Sequence, residues 1–191
     1  MFLLALIVKI ESSLSNIVNG GVMGAENAVH LKIAVDNIYS FLWNGEYNAG
    51  SGSWQQVRTY TLIPYKQCDY ENVLVINAIG DRQAVDCAIF EVRYKSQLWQ
   101  SGTSPEIKVA LPTNPIPNWQ WYMNPHSNPQ EWVDSNTRPR CYTTNNNNVV
   151  SKQLEMQNTY FTNGTRWIWW TACNQLSISN VYFILVIPNV C

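Results

Sequence analysis

Apolar residues recur every three or four positions from Phe2 to Val18, and from His30 onward the period shortens to two. In the first stretch Leu3, Leu6, Ile7, Ile10, Leu14, Ile17 and Val18 share one side. Lys9, Glu11, Ser12, Ser13 and Asn16 share the other, which is the pattern of an amphipathic helix. Asn19-Gly20-Gly21 ends it, so the helix is about 17 residues and about 25 Å long. Residues 24–28 fit a second short helical turn. The remainder alternates in short runs. Residues 30–35 (HLKIAV) read as a strand followed by a turn at Asp36-Asn37. Residues 54–64 alternate, with Val57, Thr59, Thr61 and Ile63 on one side and Arg58, Tyr60 and Leu62 on the other. Further strands are expected at 72–79, 86–94, 97–100, 106–111, 166–172 and 181–187, the last two forming a closing hairpin around a turn at 173–180. Short strands separated by turn signals predict an all-β, or mainly β, sandwich.

The stretch 112–157 breaks this pattern. It contains Pro112, Pro115, Pro117, Pro125, Pro129 and Pro139, with an asparagine run at 145–148 expected to form a loop tip. A loop of this length is either functional or disordered. Trp119, Trp121, Tyr122 and Trp132 argue against disorder, because disordered segments are poor in aromatic residues. The expected organisation is one domain over 1–191. An N-terminal amphipathic helix occupies 1–21, and a β-sandwich occupies 30–191 and carries the aromatic, Asn-rich loop 112–157.

Composition narrows the function. Charged residues are 13 % of the chain and the net charge is −1, which removes the electrostatic basis for nucleic-acid binding. Nine Trp and ten Tyr stand out instead. These side chains suit either a tryptophan-rich core or surfaces that are wet at one end and apolar at the other, such as sugar sites and membrane interfaces. Five cysteines (Cys68, Cys87, Cys141, Cys173, Cys191) lie far apart with no zinc-type spacing, and no metal or cofactor is expected. Asn163-Gly164-Thr165 is a glycosylation acceptor of the kind found in secreted proteins. The opening apolar run is shorter than a bilayer span and lacks the basic start of a signal peptide.

Catalytic motifs are missing. The two histidines are His30, at a strand start, and His126, beside Ser127 in a loop without a nucleophile elbow. Glu131 and Asp134 are a carboxylate pair of the kind used in glycoside hydrolysis, with no motif around them. The expectation is a binding protein and not an enzyme.

Three features occur in order: the amphipathic start, the strand HLKIAVDN after a glycine break, and VALPTNPIPNWQWYM, a strand ending in proline that leads into an aromatic loop. In this the chain resembles the actinoporins, small pore-forming cytolysins. The resemblance implies a secreted β-sandwich flanked by helices, binding sphingomyelin or phosphocholine headgroups and assembling as a homo-oligomer on the target-cell membrane. It places Pro112, Trp119, Trp121 and Tyr122 in the headgroup site, with Tyr160 as a further candidate. Leu3, Leu6, Ile10 and Leu14 become the apolar face of a pore helix. The chain departs from that family in its five cysteines, its net charge of −1 where that family is basic, and a helix with one acidic residue, Glu11. Two other readings stay open: a non-lytic, lectin-like module that binds glycans, and a structural or assembly protein.

Overall fold

The structure, a computed structural model, describes residues 27–36, 38–50, 55–65, 70–80, 86–111, 133–138, 147–170 and 180–188. Ten strands appear among them: β1 Val29–Asp36, β2 Ile38–Trp43, β3 Glu46–Ala49, β4 Arg58–Leu62, β5 Asn72–Ile79, β6 Cys87–Tyr94, β7 Gln97–Gln100, β8 Lys108–Ala110, β9 Val133–Asp134 and β10 Asn180–Ile187. One helix, α1, spans Asn147–Tyr160, and a 3-10 turn covers Ser135–Thr137. The strands form two antiparallel sheets, β4-β1-β6-β7 and β3-β2-β5-β10-β8-β9. The fold is mainly β, as the alternation predicts.

Register explains which residues make the core. Ile33 faces Phe90 and Leu31 faces Val92 across β1 and β6. Phe41 faces Ile76, and Ile76 faces Phe183, across β2, β5 and β10. Because successive side chains alternate in direction, these rows line the inner faces of the two sheets. They meet at Phe90 and Phe183, one ring from each sheet, edge to face at 5.2 Å and 68°. Near the edge Phe41 lies 4.8 Å from Tyr60, and the hydroxyls of Tyr39 and Tyr60 are 2.7 Å apart. Burial and that hydrogen bond push the Tyr39 phenol well above its ordinary pKa, so it stays neutral.

The opposite faces of the central strands are buried too. Leu42, Val73, Val75, Ala110, Tyr182 and Ile184 form a second apolar cluster on the other side of the six-stranded sheet. This is why NVLVINAI and VYFILVI read as continuous apolar runs rather than alternating ones.

Several expectations are corrected. The expected strand 54–64 shrinks to β4, and β2 and β3 form where the alternation predicts no strand. Their hairpin turns at Asn44 and Gly45, with φ of 51° and 88°. Two consecutive positive φ values define the type I′ turn that Asn-Gly favours between strands. The closing hairpin is not formed: Ile168 bridges to Ala88 of β6, whereas β10 lies between β5 and β8 in the other sheet. The two segments were adjacent in sequence and equally apolar, but each found its partner strand in a different layer. The irregular stretch 112–157 contains β9 and, from Asn147, helix α1. That helix carries few apolar residues, so periodicity did not reveal it. The N-terminal helix, including Leu3, Leu6, Ile10 and Leu14, lies outside the described residues.

Phe90→Ala removes one half of the ring contact between the sheets. It is expected to cost about 3–5 kcal/mol in urea unfolding, against less than ~0.5 kcal/mol for an exposed substitution such as Thr61→Ala.

Candidate functional site

The outer face of the four-stranded sheet carries a buried charge. Glu91 on β6 points away from the core between the sheets and is 4 % exposed. An isolated buried carboxylate is costly, so its oxygens must find donors. Lys32, its cross-strand neighbour on β1, donates to Oε1 at 2.9 Å. The backbone N–H of Thr162 and the hydroxyl of Thr165 donate to Oε2 at 2.9 and 3.3 Å. The Lys32 ammonium also donates to the Tyr160 carbonyl at 2.8 Å and lies 5.8 Å from the Phe161 ring. A cation therefore satisfies one of the carbonyls that every helix leaves open at its C-terminus.

The same contacts fix α1 to the sheet. Gln153 in its middle donates to Cys87 Sγ at 3.3 Å, and its carbonyl accepts from Trp167 Nε1 at 3.1 Å. Met156, Phe161, Trp167, Ile168 and Trp169 join the main core. Gln100 on β7 donates to Thr165 Oγ1 and to the carbonyls of Thr162 and Asn163, which holds the turn at Gly164, where φ is +105°.

With the end of α1 pinned there, a cleft of about 680 Å³ opens between it and the edge strand β4. Lys32, Gln55, Gln56, Val57, Arg58, Thr59, Thr159 and Tyr160 line it. Tyr160 is 55 % exposed. Arg58 donates to Gln56 Oε1 at 3.0 Å. The ion pairs among the described residues are Lys32–Glu91 and Lys108–Asp134, so Arg58 is a cation with no carboxylate partner in that set. Amides, hydroxyls, one exposed tyrosine and the Arg58 guanidinium can together take a hydroxylated or anionic ligand, the Lys32 charge being met by Glu91.

Of the expected site residues, Tyr160 is in this cleft. Pro112, Trp119, Trp121 and Tyr122 lie outside the described residues, as do Trp132, His126, Glu131, Cys68, Cys141, Cys173 and Cys191. Asp134 pairs with Lys108 at 2.6 Å. His30 is half-buried on β1 opposite Thr61 and Arg93. Trp43, Trp99, Trp167 and Trp169 are core residues. The acceptor Asn163 is exposed, while Thr165 is buried against Glu91. Among the described residues no group of three His, Cys, Asp or Glu could hold a metal, and no helix is long and apolar enough to cross a membrane. Lys32, Gln56, Arg58 and Thr59 were missed as site residues. Alternation placed Arg58 and Thr59 on a strand, but only the docking of α1 makes that strand one wall of a cleft. No family model, curated protein or solved structure matches the chain.

Burial pushes the Glu91 carboxyl up, but the hydrogen bonds from Lys32 and Thr162 and the lysine charge outweigh it. Its pKa ends below the ordinary value of 4.5. A depressed carboxylate contributes stability that is complete above the unfolded-state pKa and is lost as pH falls through the folded one. Unfolding free energy should therefore drop as the pH falls from about 4.5. Glu91→Gln should be less stable at neutral pH and flatter in acid. Parallel acid profiles for the two proteins would show that the carboxylate contributes nothing.

Proposed function

We propose that the protein is a carbohydrate-binding β-sandwich module and that the cleft between β4 and the end of α1 receives the sugar. The observation that carries this reading is the cleft's lining: Gln56, Thr59 and Thr159 beside the exposed ring of Tyr160, with Lys32 and Arg58 at hand. A pyranose presents an apolar C–H face and a rim of hydroxyls. Tyr160 suits the face, because an aromatic ring offers a large apolar surface that stays partly wet. Amides and hydroxyls suit the rim, because each can donate and accept. Arg58 suits a carboxylate or sulfate on the sugar, since its fork can donate two parallel hydrogen bonds to two oxygens of one anionic group.

The lining also discriminates between the two ligand classes expected from the sequence. A choline headgroup is a quaternary ammonium, which is held by several aromatic faces around the cation. This cleft has one aromatic ring among its lining residues and Lys32 is already paired with Glu91, so it offers no aromatic cage for the ammonium. A phosphate or an acidic sugar could each meet Arg58, so it is the missing aromatic cage that disfavours choline. The glycan reading therefore fits the described site better than phosphocholine does. Pore formation rests on residues 2–18 and 112–122, outside the described residues.

A glycan array should give hits enriched in acidic sugars, while dye-loaded sphingomyelin vesicles stay intact. Tyr160→Ala and Arg58→Ala should each weaken binding to a hit by about tenfold or more, about 1.4 kcal/mol, without shifting the unfolding midpoint. Vesicle leakage with a blank array would sink the reading.

A further inference from the structure

The sheet face that floors the cleft continues beyond it. Thr59 and Lys32, which line the cleft, are partners across β4 and β1. Two residues along each strand, with the same side-chain direction, Thr61 is the partner of His30. His30 in turn faces Arg93 on β6, and Arg93 faces Leu98 on β7. Thr61, His30, Arg93 and Leu98 therefore form one row across four strands, on the face that carries Lys32 and Glu91. Thr61 and Arg93 are exposed, and His30 and Leu98 are half-buried.

The chain above this face stops short of the row. Helix α1 comes in over Cys87, to which Gln153 donates, and its Tyr160 carbonyl is held at Lys32. From there residues 162–165 cross Glu91 to Gln100 on β7. Cys87, Glu91 and Arg93 follow one another along β6, so the crossing leaves Arg93 and His30 on its far side. The result is a shelf, with the row as its floor and the crossing segment as one wall. Thr162, exposed in that wall, has its hydroxyl 3.5 Å from Arg93 Nη2. The ion pairs among the described residues leave Arg93, like Arg58, without a carboxylate partner in that set. Glu91, two residues before Arg93, already accepts from Lys32, Thr162 and Thr165. A guanidinium that touches one hydroxyl keeps donors for an anion, and His30 and Thr61 can donate beside it.

We infer that this shelf is a second subsite, contiguous with the cleft, where Arg93 binds the carboxylate or sulfate of the next sugar along an acidic oligosaccharide. This inference rests on the carbohydrate reading of the cleft and deepens it. The ligand has linked residues, one against Tyr160 and the next with its acid group at Arg93. From Thr59 to Arg93, two residues along a strand and two strand spacings across, the face spans about 12 Å. That is farther than one pyranose ring reaches. His30 and Thr61 take hydroxyls of the second sugar. A neutral chain gains those hydroxyl contacts and nothing from the guanidinium.

The test is calorimetric titration with mono-, di- and trigalacturonate and with chito-oligosaccharides of the same lengths. The acidic dimer should bind about tenfold or more tighter than the acidic monomer, a larger gain than the neutral series shows. Arg93→Gln should remove that extra gain, with the loss falling on dimer and trimer and not on the monomer. Arg93→Lys, which keeps the charge without the fork, should retain part of it. Tyr160→Ala should weaken every length. If Arg93→Gln binds the acidic dimer as tightly as wild type and Tyr160→Ala still weakens it, the second subsite is wrong and the cleft stands. An equal loss on monomer and dimer would put Arg93 in the cleft itself and also overturn the inference. No binding in either series would remove both readings. If Arg93→Gln instead loses co-sedimentation with phosphatidylglycerol vesicles while the galacturonates show no gain with length, the row is a lipid contact and the inference fails.

Discussion

A carboxylate buried on the outside of a sheet has to be neutralised by whatever lies above it. Glu91 occupies that position, and its donors come from three places in the chain: Lys32 on the neighbouring strand, the backbone of Thr162 and the hydroxyl of Thr165. Leaving any oxygen without a partner would expose the full desolvation cost of the ion. The turn after α1 is therefore tied to the sheet at one defined point. Trp167, Gln153 and Gln100 then fix the chain on either side of it. What looks like a small ion pair sets the position of an entire layer.

The cleft is a consequence of that docking. With the Tyr160 carbonyl anchored by Lys32, the Tyr160 ring remains in water beside the edge strand. Edge strands invite pairing with other chains, and proteins blunt them with charge or cover them. Here β4 carries Arg58 and exposed threonines, and the end of α1 stands next to it. The same features that discourage strand addition leave a polar groove of modest size.

The fold was legible where the pattern was strong. The alternation at 58–62 and the continuous apolar runs at 72–79 and 181–187 translate directly into β4, β5 and β10, because side-chain direction in a strand is fixed by the period alone. The strand β2 was also visible in principle. Asn44-Gly45 between apolar residues is a strong local hairpin signal, which the strand pattern read from the sequence leaves out. Helix α1 was a different kind of miss. NNVVSKQLEMQNTY has weak periodicity, and its place depends on Met156 and Gln153 reaching residues far away in sequence. The stretch 166–172 is expected as a strand of a closing hairpin, but among its described residues only Ile168 pairs, through an isolated bridge to Ala88.

The sequence by itself determined the sheet-forming segments, the faces they bury and the absence of catalytic motifs, all of which follow from local order: residue type, spacing and turn chemistry. It also singled out Tyr160, though through resemblance and not through its surroundings. Only the tertiary structure decided that Tyr160, Lys32 and Arg58 line one cleft, and that Tyr65, bonded to Asn44 and Asn72, meets Tyr70 edge to face. These groupings join residues up to 128 positions apart, as the bond from Lys32 to Tyr160 does. Contacts at that separation are set by which sheet each strand joins and by where a buried charge finds its donors. Neither leaves a periodic trace in the chain.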